Sequence, residues 1–206
     1  MLFDDTFKTI EGISEGQFRD RGSKFLGFAY PISSETEVKE IINLLKKEHP
    51  QANHHCYAFR LTTDPSVYRA SDDREPSGSA GKPILGAIQS LQLTNVLIVV
   101  VRYFGGSLLG VPGLIAAYRN AAQDALVHAK VVTKTVNEKI EITFQYEYIN
   151  DVHSLLKSEP SNILSQSYET PCVITIEIRK SRCQFFIDKL KQHSNLAVHA
   201  NWKILY

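Results

Sequence analysis

Val96-Leu-Ile-Val-Val-Val101 is an unbroken apolar run, and it constrains this chain more than any other segment. It is far shorter than the roughly 20 residues that cross a bilayer. Because it lacks polar alternation, it reads as a strand over 95–103 covered on both faces. Its flanks are of another kind. Upstream lies Ser71-Asp-Asp-Arg-Glu-Pro-Ser-Gly-Ser-Ala-Gly-Lys-Pro83, small, polar and rich in turn residues, which predicts a long loop leading into a helix over 83–91. Downstream, Phe104-Gly-Gly-Ser-Leu-Leu-Gly-Val-Pro-Gly113 predicts a second loop ahead of a helix whose packing face is Leu114, Ala117, Tyr118, Ala121 and Ala125.

Around this centre the pattern is α+β. Residues 7–32 alternate loosely and read as two strands with turns at Glu15-Gly16 and Arg21-Gly22. Ser34-Glu-Thr-Glu37 matches a capping box, and Val38, Ile41, Ile42 and Leu45 follow at helical spacing until Pro50. Residues 54–61 read as a strand that sends His55, Tyr57, Phe59 and Leu61 to one face and His54, Cys56, Ala58 and Arg60 to the other; a short strand over 67–70 pairs with it. After residue 132 the pattern restarts as strand 139–148, helix 151–157, a hairpin of 163–168 and 173–179, helix 182–193 and strand 196–205. That order is β-α-β-β-α-β, the ferredoxin-like arrangement. The expected domains are therefore 1–134 and 135–206.

Composition narrows the function classes. Of 206 residues, 43% are hydrophobic and 22% charged, as in an ordinary globular protein. Lys plus Arg is 23 against 22 for Asp plus Glu, a net charge of +1, which argues against a protein that grips nucleic acid mainly by neutralising phosphates. Met1-Leu-Phe-Asp-Asp-Thr is acidic where a signal peptide is basic. Cys56, Cys172 and Cys183 are an odd, widely spaced set without CxxC. These features predict a soluble cytoplasmic protein with no membrane contact and no disulfide scaffold.

The two loops carry the candidate chemistry. Strand, glycine-rich loop and helix offer backbone N–H groups to an anion. Gly105, Gly106, Gly110 and Gly113 would let a phosphate approach, and Arg102 would add charge at the strand end; the same glycines also serve tight turns alone. Gly81-Lys82 is not a P-loop, since Pro76 and Pro83 stand where that motif needs Gly and Ser or Thr. His54-His55-Cys56 resembles a ligand cluster, but strand parity leaves only His54 and Cys56 to share an ion. No metal and no cofactor are expected. Asp72, Asp73 and Glu75 would serve as general base with His54 or His55, or merely cap the loop and pair with Arg74, Lys82 or Arg102. Ser77 and Ser79 lack a nucleophile elbow.

Cys56-Tyr-Ala-Phe-Arg60, Asp73-Arg-Glu-Pro-Ser-Gly-Ser-Ala-Gly-Lys-Pro83 and Val99-Val-Val-Arg-Tyr-Phe-Gly-Gly106, continued by Leu109-Gly110, Gly113-Leu114 and Ala117-Tyr118, closely resemble the IMPACT family in its bacterial YigZ-like branch. The resemblance implies an N-terminal domain like the second domain of ribosomal protein S5 and a ferredoxin-like C-terminal domain like domain V of elongation factor G. The eukaryotic relatives regulate translation initiation by competing for an activator of a stress kinase, using an extra domain that this sequence does not show. The chain departs from the family pattern at Arg74, where glycine is usual, and at Leu108, Pro112 and Ala116, where lysine, glycine and arginine are common.

The expectation is then a non-catalytic binding or regulatory protein linked to translation. It would engage RNA, the ribosome or a translation factor through loops 71–83 and 103–113. Arg74, Lys82, Arg102, Tyr103, Gly105, Gly106, Gly110 and Gly113 would make the contacts. Two alternatives stand beside it. One is an enzyme acting on a small phosphorylated or nucleotide ligand with Glu75, Asp73 and His55; the other is a protein-interaction module whose loops are only structural.

Overall fold

The computed structural model describes residues 5–64 and 66–205. The described residues divide into two compact units, one within 7–134 and one of residues 135–205 with Asp5 and Thr6.

The described chain begins with β1 (Thr6–Ile10), which enters the first unit at Phe7, and continues with β2 (Ser14–Asp20), β3 (Ser23–Pro31) and α1 (Glu35–Glu48). β4 (His54–Arg60), β5 (Tyr68–Ser71), α2 (Gly81–Ser90), β6 (Val96–Tyr103), α3 (Gly110–Val127) and β7 (Val131–Thr135) follow. β1 and β7 form a two-stranded sheet, and the other strands form an antiparallel sheet in the order β2-β3-β6-β4-β5.

β6 lies at the centre, and both its faces are covered. Val96, Ile98 and Val100 enter a core with α2 and α3, while Leu97, Val99 and Val101 enter a second core with Val38 and Leu45 of α1. The apolar run is thus the shared wall of two cores, which explains the absence of a polar residue. α1 starts where the capping box predicts: Glu37 N donates to Ser34 Oγ (3.3 Å), and the Glu37 carboxylate accepts from Ser33 N (2.9 Å).

Residues 7–32 make three strands, not two. Arg21-Gly22 is a turn, with φ of 44° and 80°, but Glu15-Gly16 lies inside β2. Gly16 is there for close approach. It pairs with Gly27 of β3, and α3 crosses this point so closely that a Cβ on Gly16 would lie 2.2 Å from Ala125 N. Gly110 and Gly113, expected in a loop, belong to the first turn of α3.

The second unit runs β8 (Asn137–Phe144), a 3₁₀ turn, α4 (Ile149–Lys157), β9 (Ser161–Ser167), β10 (Cys172–Arg179), α5 (Lys180–Gln192), α6 (Leu196–His199) and β11 (Ala200–Leu205). The sheet order β11-β8-β10-β9, antiparallel throughout, is the β-α-β-β-α-β arrangement expected of this segment. Ile140, Ile142, Ile174, Ile176, Phe186 and Leu190 centre its core. The last strand starts later than predicted, because Leu196 and Ala200 are both buried at helical spacing and the chain makes a turn of helix between them. Asp5 is held in this unit by Arg179, whose Nε and Nη2 donate to its carboxylate at 2.7 and 2.6 Å. No helix among the described residues is long and apolar enough to cross a membrane.

Candidate functional site

The segment 72–80 is ordered by its own acids. The Asp72 carboxylate accepts from the backbone N–H groups of Gly78 (2.8 Å), Ala80 (3.0 Å) and Gly81 (2.8 Å), so it fills the N-terminus of α2. Here the strand-loop-helix geometry binds an anion that the chain itself supplies. Burial opposes ionisation of Asp72, but those amides and the charge of Lys82 outweigh it and hold the carboxyl below its ordinary value. The contribution of Asp72 is therefore present above pH 3.8, the ordinary value, and disappears as pH falls through the lower native one. Asp72→Ala is expected to lower the unfolding free energy by about 2 kcal/mol at neutral pH. Urea unfolding of parent and variant should show that gap shrinking as the medium is taken down to about pH 3.

Glu75, three residues on, turns under the sheet. Its Oε1 accepts from Arg102 Nη1 at 2.5 Å and from Tyr118 Oη at 2.7 Å, and His54 Nε2 lies 3.7 Å away. The side chains of Glu75 and Arg102 are 4% and 6% exposed, so this is a buried ion pair at the end of β6. The guanidinium sits 5.4 Å from the Phe25 ring centroid and 5.5 Å from that of Phe104. Burial keeps the Tyr118 phenol far above its usual range, so it remains a donor. Cys56 Sγ donates to the Asp72 carbonyl at 3.0 Å, and burial raises its thiol as well, leaving an inert sulfur. Among the described residues no group of three or more His, Cys, Asp or Glu could hold a metal ion.

Above this network lies a cleft of about 410 Å³. Asn53, His54, Glu75 and Arg102 supply its polar lining; Phe104, Leu108, Leu109, Val111 and Leu114 supply apolar wall. Asn53 clamps the segment 104–109, because its Oδ1 accepts from Phe104 N at 2.8 Å. Gly105 packs on the β2–β3 turn, where a Cβ would lie 1.9 Å from the Gly22 carbonyl carbon. Its bareness serves that packing. Gly106 and Gly110 have φ of 85° and 68°, and Gly110 lines the cleft. Leu108 is 83% exposed.

The expected site residues separate. Arg102, Glu75 and Gly110 meet at the cleft. Tyr103 faces the other side of the sheet, where its hydroxyl pairs with His49 Nδ1 at 2.9 Å. Parity along β6 puts it there, one residue after Arg102. Arg74 is exposed, 4.0 Å from the Asp73 carboxylate, and Lys82 projects from α2 beside Gly78. The trio Glu75, Asp73 and His55 is not assembled. His55 and Asp73 line a pocket on the α1 face, while Glu75 lies under the opposite face. Burial pushes the His55 imidazole below its ordinary value; Asp73 opposes this, and Lys46 and His49 reinforce it. His54, read from the sequence as a possible ligand or acid–base partner, joins the cleft network beside Glu75, and so does Tyr118, whose position suggested only a helix core. Only the register that pairs His54 with Arg102 brings them together.

A model of the Impact N-terminal domain matches residues 21–126, more than half of the chain. The chain belongs to the IMPACT family. An IMPACT family member of Haemophilus influenzae is 33% identical over 175 residues, covering 84% of this chain and 85% of the relative. The member YigZ of Escherichia coli is 29% identical over 174 residues with the same coverage. A crystal structure described as that of a hypothetical protein superposes with a TM-score of 0.74 at 25% identity, over 98% of this chain and 97% of the other. The two-domain translational regulator Yih1 is 29% identical over 58% of this chain and 48% of its own, with a TM-score of 0.38. The buried Glu75–Arg102–Tyr118 network and the cleft above it both lie inside the Impact N-terminal segment.

Proposed function

We propose that this IMPACT family member is a non-catalytic binding protein linked to translation, and that it holds a protein partner at the cleft beside 104–109. The partner is a translation factor or the protein surface of the ribosome. Family membership supports the link to translation. The choice of protein over RNA rests on one observation: the cleft's cation, Arg102, is already neutralised by Glu75, while its rim exposes Phe104, Leu108 and Val111. A phosphate placed against Arg102 would meet the Glu75 carboxylate beside it. An apolar side chain placed between Leu108 and Val111 removes hydrocarbon from water on both partners. His55 is separated from Glu75, and His54, which lies 3.7 Å from Glu75, faces a carboxylate oxygen that already accepts from Arg102 and Tyr118.

Sedimentation with purified ribosomes and with free structured RNA, across a range of salt, tests this. The expected result is co-sedimentation with ribosomes that persists as salt rises. Leu108→Glu should weaken it by about tenfold or more, the scale of one lost central contact, while Arg74→Ala leaves it unchanged. Association with free RNA that falls steeply with salt would overturn the reading in favour of phosphate contacts.

A further inference from the structure

We propose that the α1 face of the same sheet carries a second site, in the pocket between α1 and β4, and that it binds a phosphate ester bearing a hydroxyl, as in a ribose phosphate. The pocket holds about 360 Å³ and is lined by Lys39, Asn43, Lys46, His55, Ser71 and Asp73, with Ile42 and Tyr57 completing the wall. That volume suits a small ligand.

One buried polar group of its lining lacks a partner. His55 is 7% exposed, and its Nε2 is buried with no hydrogen bond among the described residues. Buried polar atoms are nearly always satisfied, so an orphan of this kind calls for a ligand or water. Nε2 of a neutral ring either donates or accepts, according to the tautomer. A hydroxyl does both and so satisfies it in either form, whereas a phosphate dianion only accepts.

The phosphate end is set by α1. Lys39, Asn43 and Lys46 are spaced four and three residues apart and so form one stripe along the helix. Neither lysine has an ion pair among the described residues, unlike Arg102 across the sheet. The charged groups facing the pocket are Lys39, Lys46 and Asp73, with Tyr57 and His55 as the other titratable ones. Asp73 is partly engaged, since its Oδ2 accepts from His55 N at 2.7 Å and Arg74 lies 4.0 Å away. Two lysines against one carboxylate make the α1 side cationic, and His55 adds an unpartnered imidazole nitrogen. A phosphorylated sugar matches that arrangement, with its ester at the lysines and its hydroxyl at Nε2. The site is independent of the cleft on the other face, and its failure would leave the proposed function standing.

Histidine ring resonances of the full chain, titrated with ribose 5-phosphate, inorganic phosphate and ribose, test the proposal. Ribose 5-phosphate should move the His55 Nε2 signal, and inorganic phosphate and ribose should each act about tenfold more weakly, one charged or neutral contact being lost. Lys39→Ala with Lys46→Ala, both at exposed positions, should weaken the ester by on the order of tenfold or more while leaving thermal unfolding unchanged. His55→Gln, checked for folding in the same way, should abolish the advantage of ester over phosphate. No response of His55 to the ester, an unchanged response in the lysine variant, or equal action of phosphate and ester would each overturn the site. A short single-stranded RNA in the same titration separates the sources. A stronger response to RNA than to the free ester places the ligand on a polymer; a response confined to the free ester makes it a small molecule.

Discussion

Glu75→Ala should lower the unfolding free energy by about 3–5 kcal/mol, among the largest effects of any single substitution outside the apolar cores. Deleting the carboxylate does not release its partner. The Arg102 side chain is 6% exposed, held at the end of β6 between the rings of Phe25 and Phe104, and would remain as an uncompensated charge in low dielectric. Tyr118 would lose the acceptor of its hydroxyl at the same time. The cost is that of the orphaned partners more than the worth of the pair, and this can be separated by experiment. Glu75→Gln keeps an acceptor for Arg102 and Tyr118, so its cost should fall to about 1–3 kcal/mol. Glu75→Leu combined with Arg102→Met removes both charges and should recover most of the stability. Urea unfolding of the three variants decides the matter. A neutral Glu75→Ala would mean that the guanidinium reaches solvent, and the cleft would then present a cation after all.

That outcome bears on function, because the same ion pair decides what the cleft prefers. With Glu75 in place, Arg102 is a structural cation that ties segment 72–80 to the end of β6. Without it, Arg102 would be the phosphate ligand that its position beside a glycine-rich loop suggests. Glu75→Gln should therefore raise the affinity for free RNA, if the chain has any, and leave an apolar partner little affected.

Much of the fold is written locally. The run 96–101 reports a strand with two covered faces, the Ser34 and Glu37 pair marks the start of α1, and the spacing from Leu114 to Ala125 gives the buried face of α3. The ferredoxin-like order follows from successive elements alone. What escaped was non-local. Gly16 looks like a turn residue because nothing nearby in sequence says that Ala125 will lie against it. Asp72 looks like a candidate base, yet its oxygens are spent on amides six to nine residues ahead. The parity that separates His54 from His55 was legible. That Arg102 would fall on the side of His54, and Tyr103 on the side of His55, depends on the β4–β6 register, which no local pattern encodes. The residues expected at the two loops therefore divide between the faces of the sheet, Arg102, Glu75 and Gly110 at the cleft and His55 and Asp73 at the pocket beside α1.

The two adjacent glycines of the second loop give the sharpest test of that distinction. Gly105→Ala is expected to cost about 3 kcal/mol, the upper end for forcing an atom into filled space. Its Cβ would sit 1.9 Å from the Gly22 carbonyl carbon and 2.2 Å from Ser23 N. Both obstacles are backbone, so no side-chain rotation relieves them, and the segment 104–109 would have to lift off the β2–β3 turn. The Gly105 N–H bond to Ser23 Oγ, at 3.1 Å, would go with it. Gly106→Ala meets nothing within 4 Å and pays only for a φ of 85°, about 1–2 kcal/mol. Thermal unfolding should rank the two variants in that order. Partner binding should follow the same ranking, because lifting 104–109 displaces Phe104 and Leu108 from the cleft rim, whereas a methyl group on Gly106 leaves them seated. Equal costs near the lower value would show that the loop does not rest on the turn, and the cleft would lose the wall that gives it shape. A larger cost at Gly106 than at Gly105 would return the loop to the role first suggested by its glycines, a backbone bared for a ligand.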